Sequence, residues 1–210
     1  MQNYKLTFQN ITKIFGRRLI FKNINQEFTS RKVYGFAGNN GSGKSTLIKI
    51  AAGIISPTKG EVSHKYNDEI IIPEKLHNFI GFVSPYLVLY DEFTAEENLI
   101  HISKIRGIEY NKEFAWHLLN EFNIYDRRED YLKGYSSGML QRMKFIFALL
   151  HSPKILFLDE PTSNLDAIGK DKVYEIIEQE GKDKIVIIAS NEDSDLEMCS
   201  EILEIEKYKN

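Results

Sequence analysis

The run Gly38-Asn39-Asn40-Gly41-Ser42-Gly43-Lys44-Ser45 has the make-up of a phosphate cradle. Its glycines let backbone N–H groups converge on anionic oxygens with no Cβ in the way. The G-x-x-x-x-G-K-S spacing puts Lys44 where it reaches the β- and γ-phosphates of a nucleoside triphosphate. It puts the Ser45 hydroxyl where it ligates Mg2+. Val33 to Ala37, a short apolar run, reads as a strand leading into this loop. Ser45 to Ala52 carries Leu47, Ile48 and Ala51 at helical spacing. Strand, glycine loop, helix is the context in which the pattern binds phosphate, because the helix N-terminus aims its positive end at the same anion.

A second constellation lies 115 residues downstream of Lys44, where the apolar strand Ile155-Leu156-Phe157-Leu158 ends in Asp159-Glu160. Asp159 is suited to hold Mg2+ through water, and Glu160 to polarise an attacking water. Apolar strands often end in acids at the solvent edge, so the pair gains meaning from the loop upstream. A third is Tyr135-Ser136-Ser137-Gly138-Met139. It reads as a serine N-cap, and a capped helix N-terminus can also bind phosphate.

The elements that must position these groups follow an α/β rhythm. Tyr4 to Ile11 and Phe21 to Phe28 alternate apolar and polar residues. They are expected to pair as antiparallel strands around Phe15-Gly16-Arg17-Arg18. Pro57 to Gly60 reads as a turn, and Ile70 to Ile72 and Phe79 to Val83 as strands. From Thr94 to about Tyr131 the spacing turns helical, with Thr94-Ala95-Glu96-Glu97 as a capping box and a second helix from Asn111 to Phe122. A third helix spans Ser137 to Leu150. Beyond Pro153 come a buried strand, an amphipathic helix over Lys170 to Glu180, and a buried strand over Ile185 to Ala189. The expected fold is α/β, with a mixed, mostly parallel sheet, an N-terminal antiparallel β region and an inserted helical subdomain. The expected unit is a single domain over residues 1–210, with a core of 1–85 and 151–210 and a helical part over about 86–150.

Bulk properties narrow the partners. Lys plus Arg total 27 against 30 for Asp plus Glu, a net charge of −3, which lacks the basic excess of a duplex-binding protein. Cys199 is the single cysteine, so no internal disulfide can form and a reducing compartment fits. The N-terminus lacks the apolar core of a signal peptide, and no apolar run nears the roughly 20 residues that cross a bilayer. The five histidines show no ligand-like spacing and read as surface or partly packed. Trp116 reads as core.

In this order, the segments resemble the ATP-binding cassette (ABC) family over nearly the whole chain. The resemblance implies a P-loop NTPase core that binds ATP with Mg2+. It implies that Phe15 stacks on adenine, although Phe8 and Phe21 on either side leave a core or turn aromatic as the alternative. It also implies that Gly38 through Ser45 and Thr46 hold the phosphates, and that Ser45 and Asp159 hold the metal. Ser136, Ser137 and Gly138 stand where the family has its signature, which touches the ATP of the opposite subunit. Ser137 and Met139 replace the usual glycine and glutamine, while Gln141 and Arg142 continue the pattern. Ser163-Asn164-Leu165-Asp166 resembles the dimer loop. Two positions depart: Pro85 stands where the family has a glutamine, and Asn191 where it has the switch histidine. Asn donates a hydrogen bond but carries no charge near neutral pH, so slow hydrolysis is expected, with Glu160 and Asn191 as the catalytic pair.

The implied function is an ATPase subunit of an ABC transporter, at the inner, cytoplasmic face of the cell membrane. It would work as an ATP-dependent homodimer on an integral membrane permease, with the lobe from about Tyr86 to Tyr131 as the docking surface and no nucleic-acid partner. The length resembles compact cassettes of exporter systems, including the haem-exporter subunit of cytochrome c maturation. A soluble ABC-type ATPase of a protein-assembly system and an ATP-gated binding module with little turnover would share these motifs.

Overall fold

A computed structural model describes residues 3–209; Met1, Gln2 and Asn210, within the 1–210 span expected for the domain, lie outside the described residues. Strands β1 (Tyr4–Phe15) and β2 (Arg18–Thr29) form an antiparallel hairpin closed by Gly16-Arg17, with Leu6 opposite Phe28 and Phe15 opposite Arg18. Strand β3 (Lys32–Ala37) runs into the glycine loop and helix α1 (Lys44–Ala51). Strands β4 (Lys59–Tyr66) and β5 (Glu69–Ile70), the short helix α2 (Pro73–Leu76) and β6 (Ile80–Val83) follow. Next come α3 (Ala95–Arg106), α4 (Lys112–Glu121) and α5 (Ser137–Leu149). The chain then alternates β7 (Ile155–Asp159), α6 (Ala167–Gly181), β8 (Ile185–Ser190), α7 (Asp193–Leu196) and β9 (Glu201–Glu204).

The expected antiparallel β region and mostly parallel sheet are present as two separate sheets. Strands β2-β1-β4-β5 form an antiparallel sheet, and β6-β7-β8-β3-β9 a wholly parallel one. The parallel strands are buried on both faces, and their alternate residues serve two different cores. Ile155, Phe157, Ile185, Ile187, Tyr34 and Phe36 face the layer shared with α1 and the antiparallel sheet. Leu156, Leu158, Val186 and Ile188 face the layer shared with α3, α4, α5 and α6. Phe28 joins the two sheets, with ring centroids 5.1 Å from Phe8, 4.9 Å from Tyr34 and 5.8 Å from Phe36, all near edge-to-face. Such pairs add about 0.5–1.5 kcal/mol each beyond area burial.

The capping box at Thr94 is formed in full. Thr94 Oγ1 accepts from the Glu97 N–H at 3.1 Å, and Glu97 carboxylate accepts from the Thr94 N–H at 2.8 Å. Trp116 is partly buried, donating from Nε1 to Glu96 at 3.0 Å. Cys199 is partly buried against Gly35, and burial pushes its thiol up to about 12, well away from a reactive thiolate.

Three strands differ from the expectation, and the first is β5, at Glu69–Ile70 rather than the expected Ile70 to Ile72. Strand β4 begins inside the expected Pro57–Gly60 turn, and β9 had no expected counterpart. In Lys-Gly-Glu-Val-Ser-His-Lys-Tyr the inward positions include His64, so apolar alternation cannot reveal the strand. His64 is 4% exposed rather than at the surface. Its burial is affordable because both ring nitrogens are bonded: Nε2 donates to the Ala51 carbonyl at 2.9 Å, which leaves Nδ1 to accept from the Tyr4 hydroxyl at 2.8 Å.

Burial pushes the His64 imidazole down to about 4. Folded chain therefore keeps it neutral while the unfolded chain protonates it below about 6.5. The stability it contributes is complete above that value and is lost as pH falls towards 4, by up to ~1.4 kcal/mol per pH unit. Urea unfolding midpoints measured from pH 7 to pH 4 should fall less steeply for His64→Gln than for the parent. Identical slopes would show that His64 is not held neutral.

Candidate active site

The phosphate loop connects the C-terminal end of β3 to α1. Gly43 caps α1 with a left-handed φ of +113°, and a Cβ there would stand 2.6 Å from Ile20 Cγ2. Only glycine meets both conditions. No side chain caps α1 and no acid lies in its first turn, so its leading N–H groups remain available to an anion. Helices α3, α4, α5 and α6 are by contrast capped by Thr94, Asn111, Ser136 and Asp166. Lys44 is 4% exposed and its Nζ donates to the Gly38 carbonyl at 2.7 Å and the Asn39 carbonyl at 3.2 Å. Burial lowers the affinity of Lys44 for its proton, and the nearby Glu160, Asp159 and Glu206 oppose that.

The parallel register sets the opposite wall. Ala37 pairs with Ser190, and Asp159 with Ala189, so β3, β7 and β8 end on one line. Asp159 Oδ1 accepts from the Ser45 hydroxyl at 2.9 Å, across 114 residues of sequence. Its Oδ2 is buried with no partner among the described residues. Burial raises the tendency of Asp159 to hold a proton; the Ser45 hydrogen bond opposes this and the Glu160 charge adds to it. A carboxylate oxygen buried without a partner, next to a hydroxyl and a second carboxylate, is an oxygen-only donor set with surplus negative charge. That set fits Mg2+.

Glu160 leaves the strand with a φ of +50°, while its N–H donates to the Ala189 carbonyl at 2.9 Å. A non-glycine residue held there costs of order 1–3 kcal/mol. This bend puts Glu160 in one cleft of about 510 Å³ with Lys44, Ser45, Thr46, Asn40 and Gly41. Phe15 lines the same cleft and is 51% exposed, whereas Phe8 and Phe21 are fully buried, so its ring belongs to the cleft and not to the core. Lys13 Nζ lies 4.7 Å from the Phe15 ring centroid.

Arg18 and Tyr86 also line this cleft and carried no sequence signal. Tyr86 follows Pro85, the position expected to lack a side-chain ligand, and has Lys49 Nζ 5.1 Å from its ring centroid. The Pro85 carbonyl accepts from Lys144 on α5 at 2.9 Å. Asn191 is exposed beyond β8 and is not among the residues lining the cleft. Its neighbour Ser190 donates to the buried Asp195 at 2.6 Å, which also accepts from Thr162 at 2.8 Å and Tyr174 at 3.0 Å.

Ser136, Ser137, Gly138 and Asp166 come together in a different cleft, with Arg142, Asn164 and Lys172. Ser136 caps α5 by accepting from the Met139 N–H at 3.2 Å, which leaves its own hydroxyl proton free for another acceptor. Asp166 caps α6 through the Gly169 N–H at 2.9 Å. Gln141 on α5 donates to the Pro161 carbonyl at 2.9 Å, tying this cleft to the end of β7.

Residues 21–163 match the family model for ABC transporters. Over 186 residues, 89% of this chain and 79% of the other, the sequence is 33% identical to the lantibiotic transport ATP-binding protein SrtF of Streptococcus pyogenes. It is also 33% identical, over 97% of its length and 98% of the other, to HrtA of Staphylococcus haemolyticus, named for hemin import. The fold superposes on an ABC transporter ATP-binding protein from Pyrococcus furiosus with a TM-score of 0.83 and 26% identity, covering 98% of this chain and 100% of that one. With a phosphate loop facing two carboxylates and a family match across most of its length, this chain belongs to the ABC transporter family, as an ATP-binding, ATP-hydrolysing subunit.

Proposed function

We propose that ATP lies in the Phe15–Glu160 cleft and that its hydrolysis drives a membrane permease. The observation that carries this reading is the Ser45–Asp159 hydrogen bond beside Lys44 and Glu160. Gly38, Asn39, Asn40, Gly41, Ser42, Gly43, Lys44, Ser45 and Thr46 cradle the phosphates, with Phe15 against adenine. Ser45 and Asp159 hold Mg2+, which neutralises phosphate charge. Glu160 accepts a proton from the attacking water, and Asn191 supplies a neutral hydrogen bond to the γ-phosphate once the site closes.

The phosphate loop and the signature residues Ser136, Ser137 and Gly138 line separate clefts of one chain. A complete site therefore takes the signature cleft and Asp166 of a second copy, in a homodimer held by ATP. Residues 1–85 and 151–210 form the ATPase core and about 86–150 the helical part of one domain. No helix among the described residues is long and apolar enough to cross a membrane. Val88, Tyr90 and Phe93 are exposed on the segment before α3 and offer that permease an apolar docking surface at the cytoplasmic face of the membrane. SrtF and HrtA bear the names of transport proteins, which supports a membrane partner over a soluble assembly.

Glu160→Gln keeps shape but removes the base. Phosphate release should drop by about 10²-fold or more while ATP affinity holds, and gel filtration should show an ATP-dependent dimer. Parental turnover in this variant would remove Glu160 from the chemistry. Ser136→Arg should leave ATP binding by the monomer intact and abolish that dimer; dimerisation at the parental level would disprove the shared site. Asn191→His should raise turnover about tenfold, for ~1.4 kcal/mol of barrier, with ATP affinity nearly unchanged. If parent, Asn191→His and Pro85→Gln all release no phosphate, the motor reading falls and an ATP-gated module takes its place.

A further inference from the structure

Glu206 follows β9 in a single 3₁₀ turn, Ile205–Tyr208, and its carboxylate stands directly against the phosphate loop. Its Oε1 accepts from the Asn39 N–H at 2.7 Å, across 167 residues. A Cβ added at Gly38 would lie 2.5 Å from one Glu206 oxygen and 2.9 Å from the other, so the carboxylate fills the space that the glycine leaves. Gly38 has a φ of +154°, so bulk there would meet both a strained backbone and this carboxylate.

The placement is built into the fold. Ala37, the last residue before the loop, pairs with Glu204 in the parallel β3–β9 ladder. Ile205 is fully buried and fixes the turn that follows. Burial disfavours the charge on Glu206, but the Asn39 N–H and the positive Lys209 and Lys44 outweigh it, so the carboxylate is ionised at neutral pH. The loop thus carries a permanent internal anion beside the lysine meant for phosphate.

We propose that Glu206 is an affinity-setting residue, an internal anion that opposes the triphosphate at the phosphate loop and weakens ATP binding. This rests on the reading of Gly38–Ser45 as the phosphate cradle. The carboxylate also holds the Asn39 N–H, so it combines two effects, one electrostatic and one positional. Glutamine separates them, because its carbonyl oxygen still accepts from Asn39 while the charge is gone. Lysine reverses the charge.

The test is ATP affinity by calorimetry, without turnover, for the parent, Glu206→Gln, Glu206→Lys and Lys44→Ala, at low salt and at about 0.5 M NaCl. Glu206→Gln should bind ATP roughly threefold to tenfold more tightly than the parent at low salt, and Glu206→Lys more tightly still. The gap should shrink at high salt, where charges a Debye length apart are screened. A purely positional role would not produce that salt dependence. Equal affinity across the series, or weaker binding by Glu206→Gln, overturns the proposal. Lys44→Ala keeps the two readings apart: unchanged affinity there sinks the phosphate-loop assignment itself, whereas weakened binding there with a flat Glu206 series sinks only the role of Glu206. Position 206 is partly exposed, and Glu206→Gln, which keeps the Asn39 hydrogen bond, should melt with the parent; Glu206→Lys gives up that bond, so its affinity is compared below its own melting temperature.

Discussion

Strand β8 lies between β3 and β7, and the parallel pairing on both of its edges fixes where the chemistry can occur. With Ala37 opposite Ser190 and Asp159 opposite Ala189, Gly38, Glu160 and Asn191 all leave the sheet at one edge. A slip of one residue in either ladder would turn every side chain of that strand to the other core. Ile155, Phe157 and Leu156, Leu158 serve different cores, so hydrophobic burial on both sides locks the register. The Ser45–Asp159 hydrogen bond is a consequence of that lock. Two residues far apart in sequence meet because the sheet allows them no other relation.

The same edge connects to the signature cleft through short polar ties. Gln141 reaches the Pro161 carbonyl, and Lys144 reaches the Pro85 carbonyl, so α5 touches both the acidic strand end and the loop after β6. Asp195, 1% exposed, gathers hydroxyls from Thr162 beyond β7, Ser190 at the end of β8 and Tyr174 on α6. A buried carboxylate with three donors holds its partners in one arrangement, and removing a donor leaves charge unsatisfied. The ends of β7 and β8 and helix α6 are thereby tied to one buried carboxylate. Neutral Asn191 sits beside this hub and adds no charge to it.

Much of this was legible in the sequence because the motifs pair local geometry with local composition. The glycine loop between strand and helix, the acidic end of β7 and the Thr94 capping box each need only a few adjacent residues. Phe15 could be read as cleft or core from sequence, and only its exposure beside the buried Phe8 and Phe21 decides between them. β4 escaped notice because its inward residue is His64, a polar group made compatible with burial by Tyr4 and Ala51 from other elements. Arg18, Tyr86 and Glu206 escaped for a related reason: each acts through a position set by tertiary pairing, with no spacing rule to mark it. The dependence of a polar residue on distant partners is what composition and periodicity do not carry.

The site is also a place where local preferences are overruled. Glu160 adopts a backbone conformation disfavoured for its type, Asp159 is buried with one oxygen unpartnered, and Lys44 is desolvated by burial. Each is unfavourable alone, and each is tolerated because two cores on either side of the parallel sheet hold the strand ends in place. The last two, at Asp159 and Lys44, are complementary to the ligands that the site would take. A divalent cation would satisfy the spare Asp159 oxygen, and a polyphosphate would draw Lys44 from the Gly38 and Asn39 carbonyls and meet the uncapped N-terminus of α1. Hydrolysis then removes the γ-phosphate and part of the charge that relieved those strains. The two nucleotide states would therefore differ in how far they offset these buried charges, and only such a difference lets a ligand shift a conformational equilibrium.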